Sequence, residues 1–169
     1  MKKTLAAITA FFNKNEDVIE NYALIGGLAI GGWVAPRATR DIDFFISLKK
    51  DEQSAREELV RRLGSNGFEG KLYRGDMEDS IRACIKTIFT ERNIPLDLII
   101  VTRKWELEIV NAARVVEIFL GVSIPIVPAE GLIVLKLKAA GMQDIADASK
   151  LLGIAPSNYH RLCKELGLK

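Results

Sequence analysis

The residues best suited to chemistry in this chain are two aspartates in "RDIDFFISL", Asp41 and Asp43, at the head of an otherwise apolar run. From Asp41 onward the pattern has period two: Ile42, Phe44, Ile46 and Leu48 face one way, and Asp41, Asp43, Phe45 and Ser47 the other. Both carboxylates therefore share a strand face, with backbones roughly 6.5–7 Å apart at a rise of ~3.3 Å per residue. Flexible carboxylates at that spacing can reach one hard cation. Mg²⁺ or Mn²⁺ takes oxygen ligands and keeps its remaining positions for water and phosphate. A third acid, Asp97, interrupts "IPLDLIIV" with Leu96, Leu98 and Ile100 on the opposite face, so three carboxylates can converge. The alternative is structural: an Asp at a strand start can cap a turn or pair with Arg37 or Arg40 nearby. Three carboxylates buried without metal or partner would cost several kcal/mol each, by rough estimates for desolvated charge, which favours the functional reading.

A second feature precedes the acids. Gly26 and Gly27 follow a β-rich piece, "NYALIG", and open a helix, where backbone N–H groups and the positive helix end can hold a triphosphate. "GGLAIGG" is neither GxGxxG nor a pattern ending in GK[ST], so dinucleotide and P-loop readings fail. Small-residue packing through Gly27 and Gly31 is the other explanation.

The elements that must position these residues follow from periodicity. Helices are expected over Lys3–Asn15, Leu28–Val34 with a stop at Pro36, Glu52–Leu63, and "KWELEIVNAA". Strands are expected in "FEGKLYRG", "IRACIKTIFT" and "IPLDLIIV", and "RVVEIFLGVSIPIV" reads as two β segments meeting at Gly121. Beyond Pro128 the chain turns helical: Glu130–Ala140, Asp144–Leu152 and Pro156–Leu166. The expected architecture is α/β (α+β), a mixed β-sheet flanked by helices over residues 1–127, then a small C-terminal helical unit over 128–169.

Composition narrows the function classes. With 169 residues, 49% hydrophobic and 27% charged, the chain can bury a proper core. A formal net charge of +2 names no partner. Cys84 and Cys163 show no zinc or disulfide spacing and read as buried thiols. The single histidine, His160, leaves carboxylates as the better candidates for catalysis. "MKKTLAAITAFF" resembles the start of a secretory signal but lacks a small-residue cleavage site and fits an amphipathic helix equally well. The charge-free run Tyr22–Ala35 has 14 residues, short of the ~20 a membrane span needs, and reads as core. A cytoplasmic protein without a membrane segment is expected. Tyr159, His160, Arg161 and Lys164 form a solvated terminal face or a nucleic-acid contact, and Trp33 and Trp105 read as packing.

Taken together, "LIGGLAIGGWVAPRATRDIDFFI" resembles the signature of the nucleotidyltransferase fold shared with DNA polymerase β. "RATRDIDFFI" is most similar to the abortive-infection type of minimal nucleotidyltransferase, and to the aminoglycoside and lincosamide nucleotidyltransferases. The resemblance covers about residues 20–155 in element order and is specific from Gly26 to Ile46. It implies that Gly26 and Gly27 embrace the triphosphate of an NTP, that Asp41 and Asp43 bind two Mg²⁺ ions, and that Asp97 completes the metal site and helps deprotonate the acceptor hydroxyl. It further implies that Lys136 reaches the phosphates, supported by Asp144 and Asp147. Arg37 and Arg40 either contact triphosphate or hold the aspartates. "KAAGMQDIAD" departs from the family in lacking an arginine before the acidic pair. The implied activity is transfer of a nucleoside monophosphate to a hydroxyl of RNA, protein or a small molecule, with a toxin role and an antitoxin partner. The competing readings are a non-catalytic nucleotide- or partner-binding protein of the same fold, and a plain α/β domain whose acids are ion-paired.

Overall fold

The computed structural model describes residues 1–75, 83–154 and 164. The element order is α1 (Lys2–Lys14), β1 (Ile19–Ile25), α2 (Gly26–Ile30), β2 (Ile42–Leu48), α3 (Gln53–Gly64), β3 (Phe68–Arg74), β4 (Ala83–Phe89), β5 (Ile94–Ile100), α4 (Lys104–Asn111), β6 (Arg114–Phe119), β7 (Val122–Ile126), α5 (Ala129–Ala139) and α6 (Met142–Leu152). Of the expected helix over Pro156–Leu166 only Lys164 is among the described residues; Tyr159, His160, Arg161 and Cys163 lie outside them.

Seven strands form one mixed sheet in the order β3-β4-β5-β2-β1-β7-β6. The pairs β1–β2, β3–β4, β4–β5 and β6–β7 are antiparallel, whereas β2–β5 and β1–β7 are parallel. This is the mixed α/β architecture expected from the sequence.

One face carries Ile42, Phe44 and Ile46 of β2, all fully buried. They meet α1, whose Leu5, Ile8, Phe11 and Phe12 recur at helical spacing and are buried. Phe12 stands edge-on to Phe44 with ring centroids 5.1 Å apart, and Phe11 reaches Phe68 at 6.3 Å. The N-terminal apolar run is thus core. Alpha-helix α3 buries Leu59 and Leu63 beside β3. The opposite face is divided. Over β1 and β2 it is covered by α4, against which α5 packs closely where Gly131 faces Ile109. Over β3 and β4 it is open: Lys71, Tyr73, Lys86 and Ile88 are exposed.

One helix differs from expectation. Instead of running from Leu28 to Val34, α2 starts at Gly26 and ends at Ile30. Gly31, Gly32 and Trp33 then donate to carbonyls three residues back, so the chain leaves in tight turns. The close approach is enforced by packing: a Cβ on Gly32 would lie 2.6 Å from Ile126 Cδ1. The Trp33 indole donates to the Val127 carbonyl at 3.1 Å. Among the described residues, no helix is long and apolar enough to cross a membrane.

Candidate active site

Strand register brings the acids together. Asp43 of β2 lies directly opposite Asp97 of the parallel strand β5, and Ile25, the residue before Gly26, lies opposite Asp43 on the other side. Asp41 stands just before β2 and is exposed, its Oδ1 accepting a 2.8 Å hydrogen bond from the Thr39 hydroxyl. Neither Arg37 nor Arg40 is bonded to these aspartates among the described residues.

The charges are held against their own repulsion. Burial, then the neighbouring charges of Asp41 and Asp97, pushes the Asp43 carboxyl up to about 7, with Lys136 acting in the opposite sense. Burial also raises Asp97, opposed by the cation of Lys86 and reinforced by Asp41. The Cys84 thiol is pushed up to about 12 by burial and by the Asp97 charge, which leaves it an inert, buried neighbour.

Gly26 shapes the floor of this cluster. Its φ of +70° is the left-handed region that suits glycine, and a Cβ there would lie 2.0 Å from Asp43 Oδ2. The backbone therefore approaches the carboxylate as no side chain would allow. A Cβ on Gly27 would meet Arg37 Nη2 at 2.9 Å and Thr39 Oγ1 at 3.2 Å, so both glycines answer to close approach.

The second half of the site comes from α5 and α6. Lys136 is nearly buried, 12% exposed, and its Nζ lies 2.7 Å from Asp144 Oδ1 and 3.8 Å from Asp147 Oδ2. It is no solvated helix-face lysine. Asp147 is fully buried and receives a forked contact from Arg37: Nη2 donates to Oδ2 at 2.8 Å, and Nε lies 3.1 Å from each oxygen. Gln143 Nε2 adds a bond to Oδ1 at 3.1 Å. Burial alone would raise this carboxyl, but the bonds from Arg37 and Gln143 with the charges of Arg37 and Lys136 hold it below the usual range. Of the two roles expected for Arg37, the described bonds show no direct support of Asp41 or Asp43: its Nε and Nη2 are bonded to Asp147. Arg40 is exposed and supports neither acid. Asp144, expected near the nucleotide, is bonded to Lys136.

Between the acids and α5 opens a cavity of about 320 Å³, walled by Phe45, Ile99, Trp105, Leu132 and Leu135, with Asp43, Gly26 and Lys136 at its polar end. Glu106 also borders it and anchors α4, accepting from the backbone N–H groups of Thr102 and Arg103 at 3.0 Å each. Sequence reading passed over Glu106 and treated Trp105 as packing. The signal available was the Arg103–Glu106 spacing of a capping box.

Among the described residues, no group of three or more His, Cys, Asp or Glu side chains is assembled to hold a metal ion by itself. The donor chemistry nonetheless suits a hard divalent cation: carboxylate oxygens only, mutually repelling, with backbone rather than a side chain pressed against Asp43.

Solved structures share this arrangement of elements. A Thermotoga maritima protein assigned to the nucleotidyltransferases (TM1012) superposes with a TM-score of 0.58 at 18% identity, covering 92% of this chain and 96% of that one. The lincosamide antibiotic adenylyltransferase LnuA, solved with lincomycin, gives 0.58 at 16% identity, over 92% and 98%. The antibiotic-resistance factor ANT(2'')-Ia gives 0.60 at 13% identity, over 98% and 91%. The fold is that of a nucleotidyltransferase. Residues 12–162 match the family described as "Nucleotidyl transferase AbiEii toxin, Type IV TA system", and the chain belongs to that family. No curated protein matches the chain significantly. The resemblance read from "RATRDIDFFI" is borne out, and the protein is a nucleotidyltransferase by family.

Proposed function

We propose that this protein transfers a nucleoside monophosphate from an NTP to a hydroxyl acceptor with the help of Mg²⁺ or Mn²⁺. The observation that carries the reading is Asp43 in register with Asp97 while the backbone of Gly26 is pressed against the Asp43 carboxylate. Asp41 and Asp43, with Asp97, are the residues to hold divalent cations. When bound, such cations supply positive charge against the phosphates and the departing pyrophosphate. Gly26 and Gly27 offer backbone to the triphosphate, Lys136 offers a point charge held ready by Asp144, and Asp97 takes the proton of the attacking hydroxyl. The apolar cavity beneath Trp105 suits the nucleoside. Helices α5 and α6 act in this reading as the unit that brings Lys136 to the catalytic core. In this reading the protein uses NTP and Mg²⁺, pairs with an antitoxin in keeping with the family's description, and works in the cytoplasm.

The test is thermal unfolding with each NTP, with and without Mg²⁺ or Mn²⁺. Ligand at about 100 times its Kd stabilises by ~2.7 kcal/mol, roughly 5–11 °C for a chain of this size. Wild type should show this metal-dependent rise and Asp41→Asn/Asp43→Asn should not, although the double variant should melt no lower than wild type without ligand. No rise with any nucleotide in wild type overturns the reading, and a rise without pyrophosphate release on any acceptor makes this a binding protein of the same fold.

A further inference from the structure

Strand β4 carries one charge in an otherwise apolar setting. In "ACIKTIF" Ala83, Cys84, Ile85, Thr87 and Phe89 are buried, whereas Lys86 is exposed. The antiparallel register sets Lys86 directly opposite Asp97, and the parallel register on the other side of β5 sets Asp97 opposite Asp43. Directly opposite residues share a sheet face, with Cβ atoms roughly 5 Å apart. Lys86 therefore stands on the face of the acids, one strand from Asp97. Its charge is felt there: burial raises the Asp97 carboxyl, and the Lys86 cation acts against that rise. The ammonium is also anchored on this face, 5.6 Å from the centroid of the Tyr73 ring. On its other side Lys86 faces Lys71 of β3, a second cation, so Asp97 is the carboxylate that its register offers.

The opposite flank of the acids is similar. Lys136, its Nζ 2.7 Å from Asp144 Oδ1, acts against the burial that raises Asp43. Asp41, Asp43 and Asp97 thus lie between two resident cations. Lys136 has a task at the phosphates, and Lys86 has none in the transfer step.

We infer that Lys86 is a positioning residue acting through Asp97: a resident counter-cation that keeps the acids from taking up a divalent ion until nucleotide arrives with it. The inference rests on the nucleotidyl-transfer reading above and adds an order of assembly to it. A free Mg²⁺ or Mn²⁺ ion meets carboxylates already partly neutralised and is itself repelled by the ammonium. A triphosphate brings its own oxygen ligands and several negative charges, more than Lys86 removes, so the ion is held once nucleotide is present. A lysine that served the sheet alone, screened from the acids by water, would leave metal affinity unchanged when removed.

The test uses the full chain and Mn²⁺ alone as the probe, with the free ion followed by electron paramagnetic resonance at low ionic strength, where screening is weak. Lys86→Gln should bind Mn²⁺ about 5- to 30-fold more tightly than wild type, the Coulomb effect of a unit charge on a divalent ion roughly 8 Å away at an effective dielectric of about 40–80. High salt should shrink the difference. Lys86→Arg keeps the charge and should stay near wild type, and Lys71→Gln, one strand further from Asp97, should gain less than Lys86→Gln. Adding Asp43→Asn to Lys86→Gln should abolish the gain, which places the ion at the acids. In thermal unfolding, Mn²⁺ without nucleotide should raise the melting temperature of Lys86→Gln and leave that of wild type unmoved. Lys71 and Lys86 are exposed, and ligand-free melting temperatures verify that the variants fold. Equal Mn²⁺ affinity of Lys86→Gln and wild type overturns the inference, as does an equal gain in Lys71→Gln or a wild type stabilised as much by Mn²⁺ alone as by Mn²⁺ with NTP. Failure of the nucleotidyl-transfer reading looks different: NTP with Mn²⁺ then stabilises neither wild type nor Lys86→Gln beyond Mn²⁺ alone.

Discussion

Replacing Arg37 with Met tests whether this arginine is part of the frame or a hand on the phosphates. Asp147 is fully buried, and Arg37 supplies three of its contacts, at 2.8 and 3.1 Å. Removing one partner of a buried pair costs ~3–5 kcal/mol, because the other charge stays behind without compensation. Here the lower end applies. Arg37 is itself 28% exposed, and Asp147 keeps Gln143 at 3.1 Å and Lys136 at 3.8 Å. A loss of about 3 kcal/mol corresponds to roughly 6–12 °C in Tm for a chain of this length. In Arg37→Met/Asp147→Asn most of that loss should return, since a neutral amide carries no stranded charge, so the cycle should show strong coupling. The pH dependence has a definite sign. The Asp147 carboxyl is lowered in the folded state, so its contribution is fully present above the unfolded pKa of ~3.9 and is lost as pH falls through the folded value. In Arg37→Met burial dominates and the deficit should shrink below pH ~4, where the carboxyl can protonate. Urea unfolding of the four proteins of the cycle at neutral and acidic pH measures all of this. If Arg37→Met melts within about 2 °C of wild type yet loses the nucleotide-dependent rise, the arginine serves the phosphates and this reasoning is wrong.

Two further changes probe the site. Gly26→Ala should lose about 1–2 kcal/mol from the left-handed backbone alone, and its methyl, 2.0 Å from Asp43 Oδ2, should also abolish the metal-dependent nucleotide shift; retention of that shift at wild-type strength counts against the backbone cradle. Glu106→Ala leaves the N–H groups of Thr102 and Arg103 without their acceptor, and should destabilise by roughly 1–3 kcal/mol, measured by chemical unfolding, with a smaller effect on nucleotide binding than Gly26→Ala.

The acids were legible because their signal is local. A period-two pattern fixes which side of a strand Asp41 and Asp43 occupy, and the placement of Asp97 among apolar residues gives it a definite face. That Asp43 lies opposite Asp97 is a matter of register between β2 and β5, which are separated by two strands and a helix in the chain and had to be inferred from resemblance. The role of Arg37 was not legible. Its nearest carboxylates in sequence are Asp41 and Asp43, but it bonds Asp147, 110 residues away, because the turns after Ile30 swing the 36–40 segment toward α6. The role of Lys136 came from the resemblance alone, since lysine by residue type favours solvent; α5 buries Leu132, Ile133 and Val134 and carries the lysine in with them. The early stop of α2 was missed for a similar reason: the glycines at 31 and 32 answer to Ile126 and Pro36, which only the folded sheet brings near.

The two faces of β2 and β5 explain why a reactive carboxylate cluster is tolerated in a strand pair made of Ile, Leu and Phe. On one side Ile42, Phe44 and Ile46 are sealed by α1, and this supplies the apolar burial that holds the strands in register. On the other side the cover stops midway, with α4 and α5 over Phe45 and open surface beyond Asp97. The acids fall at that boundary, dry enough for Asp43 to be driven up to about 7 and close enough to the open surface for a cation to arrive. Extending α4 to cover β4 would close that access, and uncovering Phe45 would hydrate the carboxylates and relax the repulsion that suits them to a cation. The site thus depends less on any one side chain than on where the helical layer ends.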